Sequence, residues 1–519
     1  MLRWILGGRE AQSSVEKSPV LCIGEEQPKN RFTELQVLKG HFDIVRFLVQ
    51  IDDFRFASAG DDGLVLVWSI ETGERLQELR GHSQQITAIT TFACSDGVTS
   101  LLTASSDRSL SLWDPGTGNR VRTISDLQSS VKCLLVSERL RVWVSGGEEL
   151  CVWDKDFQLL CHRQKHSDTG ITALVELPKN CIAAAVDKEI VIYSLTVSAD
   201  PSVSVTETRR CSEHHDQIRA LININDGMFA SGSHAGELIL WDSTNFSNLA
   251  YEHILWEESH PSCQTEISAD PSVSVSVTET RRCSDHHDQI RALININDGM
   301  FASGSHAGEL ILWDSTNFNN LAYEHILWEE SHPSCQTEIK LAAPKPSEMS
   351  IQHLTTNGRL ILAAVGSGLY VYDVASKAVV AYRKAAHDSN VLHTMLLSDS
   401  ELMSCSEDGS VRMWEIQDLP LAAEPASAGF FGMWTFGRSS KQPGPQQKKV
   451  LEIPNLRTLE LTGDLIGHSG AVQMFLSFGE KGLVTCSTDH LLILWRDGER
   501  QSRLRSQALF QKLEQNGGL

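Results

Sequence analysis

Serine or threonine, histidine and aspartate recur along this chain at spacings that could support nucleophilic catalysis. In each set the Asp stands six residues before a Trp, the hydroxyl residue stands ten before it, and a His lies further upstream. A hydroxyl beside a base and an orienting carboxylate is the arrangement of a serine hydrolase. The four sets are His41, Ser58, Asp62 and Trp68; His82, Thr103, Asp107 and Trp113; His387, Ser404, Asp408 and Trp414; and His468, Thr485, Asp489 and Trp495.

The recurrence of these sets favours a structural role over catalysis. A catalytic set is expected once per active site, whereas this one returns in repeat after repeat. Each set lies on a small-residue strand, a tight turn that carries the Asp, and an alternating apolar strand that ends in the Trp. Its expected role is to satisfy polar groups that are buried when the strands pack. We therefore expect no enzyme activity.

The repeated pattern resembles the WD-repeat β-propeller family, in which these four residues form a hydrogen-bonded tetrad. The resemblance implies an all-β propeller of four-stranded blades. Some repeats depart from the pattern: the turn before Trp153 is short, and Tyr replaces Trp at Tyr193 and Tyr372. Two others have Ala235 and Ala307 where Asp is expected, so packing more than the tetrad should hold those blades.

Two adjacent stretches, 198–267 and 268–339, are nearly identical, and each holds one repeat. The chain therefore predicts eight diverged blades plus one duplicated blade, or nine blades if all close in one ring. A recent tandem duplication or a sequence-assembly artefact explains the near identity. The segment Phe32–Leu38 has no earlier blade, and the resemblance to the WD-repeat family implies that it completes the last blade beside the Trp495 strand, which would remove an exposed edge.

Composition excludes several classes of function. The net charge of −21 argues against a nucleic-acid partner. The 12 Cys residues contain no CxxC pair, and His214-His215 and His286-His287 have no Cys at finger spacing, so neither metal nor cofactor is expected. No apolar run approaches the length of a membrane helix. We expect a cytoplasmic protein whose membrane association is peripheral and depends on a partner.

We divide the chain into an N-terminal segment (1–30), the propeller (31–498) and a C-terminal helix and tail (499–519). An insert over 418–456 interrupts the propeller and is rich in Pro, Gln and Lys, which is typical of a loop. Its aromatic cluster and the adjacent Arg could fold back on the propeller, but we favour a partner-docking peptide. These residues are Phe430, Phe431, Met433, Trp434, Phe436 and Arg438.

Residues 501–515 predict a short helix before the stop signal Asn516-Gly517. Leu504, Ala508 and Leu513 are expected near one face, which Leu509 and Phe510 widen. This helix packs on its own propeller or docks another subunit. Leu504, Leu509, Phe510 and Leu513 are the candidate contact residues for a partner.

Several stretches resemble one particular member of the WD-repeat family, among them FASAGDDG, AHDSNVLH and SCSEDGSVRMWE. That resemblance implies a non-catalytic subunit joined to two DENN-domain proteins in autophagy and small-GTPase control. It also implies recruitment to lysosomes by a cationic amino-acid transporter, through a loop that corresponds to the insert. The alternative function is a substrate receptor of a cullin-type ubiquitin ligase, although no Trp-Asp here continues as the WDxR tetrapeptide.

Overall fold

Antiparallel strands make up most of the computed structural model of this chain. The structure describes residues 29–93, 99–125, 127–137, 139–154, 157–163, 170–197, 203–243, 248–252, 288–315, 320–325, 350–418 and 457–515. Within them the strands form four-stranded units, and one helix follows near the C-terminus. The all-β propeller that the sequence predicts is confirmed.

The units are called blades here, and within each one the strands run in chain order from the innermost to the outermost. The first strands in the chain are β1 (Glu34–Leu38); β2 (Val45–Gln50), β3 (Arg55–Gly60), β4 (Val65–Ser69) and β5 (Arg75–Leu79) in blade 1; β6 (Ile86–Ala93), β7 (Thr99–Ser105), β8 (Leu110–Trp113) and β9 (Arg120–Ile124) in blade 2; β10 (Cys133–Ser137), β11 (Val142–Gly146), β12 (Leu150–Asp154) and β13 (Leu159–Arg163) in blade 3; and β14 (Ile171–Leu177), β15 (Cys181–Val186), β16 (Glu189–Val197) and β17 (Val203–Cys211) in blade 4.

The remaining blades follow the same order, and blade 9 borrows its outermost strand from the start of the chain. They are β18 (Ile218–Asn225), β19 (Met228–Ser233), β20 (Leu238–Asp242) and β21 (Asn248–Glu252) in blade 5; β22 (Ile290–Asn297), β23 (Met300–Ser305), β24 (Glu309–Asp314) and β25 (Asn320–His325) in blade 6; β26 (Ile351–Thr356), β27 (Leu360–Val365), β28 (Gly368–Asp373) and β29 (Ala378–Arg383) in blade 7; β30 (Val391–Leu396), β31 (Glu401–Ser406), β32 (Ser410–Asp418) and β33 (Arg457–Ile466) in blade 8; and β34 (Val472–Ser477), β35 (Leu483–Ser487) and β36 (Leu492–Arg496) in blade 9. The helix α1 (Gly498–Gln515) ends the described chain.

The two middle strands of each blade form the core of the propeller. In blade 1, β3 is buried over five of its six residues and β4 over four of its five. Both faces of these strands are covered because each blade packs between two others, so their sequences are nearly continuously apolar or small. A Ser or Thr in such a strand loses water on both sides, and its hydroxyl therefore needs an internal partner.

The chain ends close the ring as the sequence predicts. β1 pairs antiparallel with β36, and Leu35 lies opposite Trp495. The innermost strands β34 and β2 are in contact, which joins blade 9 to blade 1. At the same seam the buried Arg496 donates from Nη2 to the carbonyl oxygens of Ile70 at 2.8 Å and Glu71 at 2.7 Å.

Each copy of the duplicated stretch supplies the four strands of one blade, and the first copy also supplies β17 to blade 4. Blades 5 and 6 lie side by side. The backbone at Gly232 of blade 5 approaches Ile290 of blade 6 so closely that a Cβ there would lie 2.6 Å from Ile290 Cγ2. Gly304 of blade 6 is in the same relation to Ile351 of blade 7, at 2.7 Å. The contact between blades 5 and 6 therefore has the same close approach as the contact between blades 6 and 7.

Blades 7 and 8 share one eight-stranded sheet. Their outermost strands, β29 and β33, pair in parallel, with Ala381 opposite Arg457 and Tyr382 opposite Thr458. The hairpin of β32 and β33 is longer than its counterparts in blade 1, and it leads into and out of the insert. The insert therefore begins and ends on a ribbon that is attached to two blades.

Candidate functional site

A buried hydroxyl lies at the centre of each of the four predicted sets. In blade 1, Trp68 Nε1 donates to Ser58 Oγ at 2.9 Å, and His41 Nε2 lies 2.8 Å from the same oxygen. The other ring nitrogen, His41 Nδ1, lies 2.9 Å from Asp62 Oδ2. The structure brings the other three sets together in the same way, around Thr103, Ser404 and Thr485.

The turn carboxylate accepts more than the imidazole hydrogen bond. Asp62 also accepts the backbone N–H groups of Phe42 at 2.9 Å and Leu64 at 3.0 Å. Burial by itself raises the pKa of Asp62, but the hydrogen bond and charge of His41 and these N–H groups outweigh it and lower that pKa. The same balance lowers the pKa of Asp489 to about 2. These carboxylates therefore stay ionised.

The geometry of the tetrads argues against nucleophilic catalysis. The hydroxyl residues Ser58, Thr103, Ser404 and Thr485 are all fully buried. A nucleophile must reach its substrate, and each of these oxygens is instead enclosed between an indole N–H and an imidazole. Each tetrad thus fixes a turn and two strands of its own blade.

Blade 5 contains a fifth tetrad that the sequence reasoning missed. Glu237, two residues beyond the expected Asp position, lies with its Oε2 3.1 Å from His214 Nδ1. His214 Nε2 lies 2.7 Å from Ser231 Oγ, which also accepts the Trp241 N–H at 2.8 Å. The expectation of a weakened tetrad in this blade, based on the missing Asp, is wrong, because the longer Glu237 side chain reaches the His from a later position.

Glu237 is held by several donors and is itself fully buried. Its Oε2 accepts the backbone N–H of His215 at 2.8 Å, and its Oε1 lies 2.6 Å from His215 Nδ1. Burial raises its pKa, but the hydrogen bonds from His214 and His215 prevail and lower the pKa to about 2. The His214-His215 pair is therefore used to bind one carboxylate.

Two signals in the sequence could have revealed this set. His214 stands 17 residues before Ser231, the same separation as His41 from Ser58. The position of Glu237, four residues before its Trp, is occupied by Ser410 in blade 8, where the hydroxyl lies 3.1 Å from His387 Nδ1. A side chain at that position already points toward the imidazole, so a carboxylate there can replace the Asp.

Blade 6, which the second copy forms, contains the same Trp–Ser hydrogen bond and the same buried Glu. Trp313 Nε1 donates to Ser303 Oγ at 2.7 Å, and the fully buried Glu309 accepts from Ser305 Oγ at 2.9 Å. His286 and His287 lie outside the described residues. In blade 3, whose turn is short, Trp153 Nε1 still donates to Ser145 Oγ at 3.0 Å.

The helix α1 is attached to the propeller by ion pairs near its start. Asp497 Oδ1 accepts the Arg500 N–H at 2.9 Å and so caps the first turn. Arg500 Nη1 lies 2.7 Å from Glu480 Oε2 of blade 9, and Arg505 Nη1 lies 2.8 Å from Glu34 Oε2 of β1. A cleft of about 400 Å³ lies beside this base, lined by residues that include Arg31 and Phe32.

Beyond its base, α1 is exposed rather than packed on the propeller. Leu504, Leu509 and Phe510 are 47 %, 59 % and 60 % exposed. At about 100° per residue, Leu504 and Leu513 fall on opposite sides, so the expected single apolar face is wrong. At the same ~100° per residue, Leu504 lies between Arg500 and Arg505, Leu509 lies next to Arg505, and Phe510 lies on the side away from the two arginines. The side chain of Leu513 is not among those described.

The aromatic cluster of the insert, Phe430 to Arg438, lies outside the described residues, so its role stays a prediction. Within the described part of the chain no group of three or more His, Cys, Asp or Glu side chains is placed to hold a metal ion. None of the helices described there is both long and apolar enough to cross a bilayer.

Four-stranded blades joined in a ring, with buried His–Ser/Thr–Asp–Trp sets, define a WD-repeat β-propeller. The WDR41 β-propeller family matches residues 1–269 and again residues 262–505, and the chain belongs to that family. The two matches meet inside the duplicated stretch. Propellers of this kind are protein-interaction scaffolds and are generally not enzymes.

Two relatives cover essentially the whole chain. WD repeat-containing protein 41 of Homo sapiens is 48% identical over 526 aligned residues, which cover 100% of this chain and 99% of the relative. The protein of the same name from Mus musculus is 46% identical over the same coverage. Among solved structures, Saccharomyces cerevisiae Sqt1 has a TM-score of 0.51 at 12% identity, covering 89% of this chain and 97% of that one. This last likeness concerns the fold alone.

Proposed function

We propose that this chain is the non-catalytic scaffold subunit of a DENN-domain protein complex that acts in autophagy and small-GTPase regulation. In this proposal it recruits the complex to lysosomes by binding a cationic amino-acid transporter. The similarity to WD repeat-containing protein 41 over the full length of the chain supports the proposal. The tetrads support its non-catalytic part, because their hydroxyls are buried.

The observation that carries the proposed assembly is the exposed side of α1. Ion pairs of Arg500 and Arg505 with the propeller hold the base of the helix. Phe510 lies on the opposite side of the helix from the two arginines, and both it and Leu509, which lies next to Arg505, are largely exposed. Large apolar side chains on a rigidly based helix are suited to a hydrophobic groove of a partner subunit. We assign this side of α1 to the DENN-domain proteins.

The helix contact is tested by co-purification with the DENN-domain heterodimer. Leu509→Glu combined with Phe510→Glu should weaken binding by about tenfold or more, because two apolar anchors become charged. The matched control is Ala508→Glu with Gln511→Glu, which changes the charge equally on the side near Arg500 and Arg505. Equal binding by both double variants would reject the assignment of this side of the helix.

The lysosomal part of the proposal is tested separately in the insert. Trp434→Ala with Phe436→Ala should abolish recruitment to lysosomes in starved cells while the variant still binds the DENN-domain heterodimer. Undiminished recruitment would reject the docking role of the insert. Loss of heterodimer binding together with recruitment would assign these rings to the assembly instead.

A further inference from the structure

The innermost strand of every blade except blade 3 contains one extra residue near its start. At this point the register with the second strand skips a residue, as it does at a β-bulge. None of these inserted residues is acidic, and three are arginines: Arg46 in blade 1, Arg219 in blade 5 and Arg291 in blade 6. The three arginines therefore occupy equivalent places at one end of the innermost strands.

Blade 1 neutralises its inserted arginine with a carboxylate of the same blade. Arg46 Nε donates to Asp61 Oδ1 at 2.6 Å, and Arg46 Nη2 donates to Asp61 Oδ2 at 2.7 Å. Two parallel bonds from one guanidinium to one carboxylate are the preferred geometry of this pair. The backbone fixes the place of the carboxylate, because the Asp61 N–H donates to Ile44 O at 2.9 Å.

Blades 5 and 6 have a histidine at the place of Asp61. The His234 N–H donates to Gln217 O at 2.8 Å, and the His306 N–H donates to Gln289 O at 2.8 Å. In all three blades the inserted arginine stands two residues after the carbonyl that accepts this bond. The turn residue that supplies the carboxylate in blade 1 therefore supplies an imidazole in blades 5 and 6.

The polar groups of this pair of blades lack acceptors in the part of the chain that the structure describes. Arg219 and Arg291 are exposed, and neither forms an ion pair or a side-chain hydrogen bond with a described residue. The Nδ1 atoms of His234 and His306 are buried and have no hydrogen-bond partner there. Two guanidinium groups and two imidazoles are thus available to an acceptor from outside.

Nearby acids do not take the place of the missing carboxylates. Asp216 and Asp288 stand three residues before the two arginines, and each accepts the N–H of the residue that follows it, at 2.6 and 2.7 Å. Blade 1 has an Asp at the same place, Asp43, in addition to Asp61. Blades 5 and 6 therefore each have one carboxylate fewer than blade 1 around the inserted arginine.

The contact between blades 5 and 6 brings the two arginines to neighbouring places. Ala220, which follows Arg219, lies opposite Gly232 in the register of blade 5. A Cβ at Gly232 would lie 2.6 Å from Cγ2 of Ile290, the residue before Arg291. One ligand with more than one acidic group can therefore reach both blades.

We propose that Arg219 and Arg291, with His234 and His306 beside them, bind an acidic peptide segment of a partner protein. Each arginine takes one glutamate or aspartate side chain of that segment, as Arg46 takes Asp61 within blade 1. The duplication placed two copies of this half-site on adjacent blades. A segment with several carboxylates is bound by both copies and is favoured over one with a single carboxylate.

This site lies away from the two docking segments proposed above. Arg219 and Arg291 are near the starts of their innermost strands, whereas Glu480, which pairs with α1, follows the end of the innermost strand β34. The insert follows the end of β32, which runs in the same direction as the innermost strand of its blade. A peptide on blades 5 and 6 is therefore bound at the other end of the strands and leaves α1 and the insert free.

The test is binding of the full chain to a fluorescein-labelled peptide in which glutamate alternates with glycine, followed by fluorescence anisotropy. We use about 150 mM salt, where the Debye length of about 8 Å screens the distant negative charges of the chain. Arg219→Gln with Arg291→Gln should weaken binding by about tenfold or more, because two charge-assisted contacts are lost. The matched control, Arg46→Gln with Arg359→Gln, removes the same charge from arginines that already pair with Asp61 and Asp399. It should change the Kd by less than about twofold.

A second double variant keeps both arginines. His234→Asp with His306→Asp gives each arginine the internal carboxylate of blade 1 and should also abolish binding. Equal effects of the two arginine double variants, equal binding of a peptide with glutamine in place of glutamate, or no binding at about 1 mM peptide would overturn the proposal. Tighter binding to phosphatidylserine vesicles through the same two arginines would also overturn it, because the site would then recognise a membrane instead of a peptide.

Discussion

Blades 8 and 5 bury the same kind of tetrad but take its carboxylate from different positions. In blade 8 the acid is Asp408, on the turn itself, and Ser410 assists it. In blade 5 the turn residue is Ala235, and Glu237 reaches His214 from the start of the next strand. The blade therefore requires a buried acceptor for the imidazole and for one backbone N–H, and two positions along the chain can supply it.

Removing the carboxylate from blade 8 should have the largest effect on stability. Asp408→Ala leaves His387, which is 2 % exposed, without its charged partner. We expect the free energy of unfolding to fall by about 3 kcal/mol or more, measured by urea denaturation. The control is Asp399→Ala in the same blade, since its ion pair with Arg359 is exposed and should contribute less than about 1 kcal/mol. Equal losses for the two variants would show that the buried position has no special role.

The equivalence of the two carboxylate positions can be tested by moving the acid within blade 5. Glu237→Ala should lower the unfolding free energy by about 2–3 kcal/mol. Adding Ala235→Asp should recover part of that loss, because Gly236 has the same positive φ, 80°, as Gly409 at 83° in blade 8. If the second substitution destabilises the protein further, the turn of blade 5 does not accept the Asp geometry. Melting temperatures of the three proteins provide the measurement.

The same carboxylate gives blade 5 a defined response to acid. The pKa of Glu237 is lowered in the folded state to about 2 from its usual 4.5. A lowered folded-state pKa stabilises the protein above pH 4.5, and that contribution is lost as the pH falls from 4.5 toward 2. Glu237→Gln should therefore be less stable than the parent at pH 7, and the difference should shrink at pH 3. A difference that does not depend on pH would contradict the lowered pKa.

The smallest effect is expected in blade 3. Of the tetrad hydrogen bonds, the one described for Ser145 in this blade is the bond from the Trp153 indole. Ser145→Ala removes the acceptor of the Trp153 N–H and should cost about 1 kcal/mol. Ser404→Ala in blade 8 should cost more, because Ser404 serves both Trp414 and His387. Thermal denaturation of the two variants ranks them, and the reverse order would refute this reading of the tetrads.

Spacing along the sequence was sufficient to predict the strands and the four Asp sets, since each depends on a local pattern, whereas the pairing of β1 with β36 was expected from the resemblance to the WD-repeat family. Glu237 was missed because the prediction searched for Asp at one fixed position, while the longer Glu side chain changes the position from which a carboxylate reaches the His. The helix was predicted over 501–515, close to the observed Gly498–Gln515.

The orientation of α1 could not be predicted from the local sequence. It depends on the contact of Arg505 with Glu34, residues that are 471 positions apart. That contact turns the side of Arg500 and Arg505 toward the propeller and leaves Phe510 on the opposite side of the helix. The apolar positions alone do not contain this information, because they are distributed around the helix rather than along one stripe.

The parallel pairing of β29 with β33 has a mechanical consequence. Any tension on the insert would enter the propeller at Asp418 and Arg457, the residues that end β32 and begin β33. Because Arg457 is paired with Ala381 of blade 7, that pull is distributed over eight hydrogen-bonded strands instead of four. A tether at this point resists being peeled away from the rim one strand at a time.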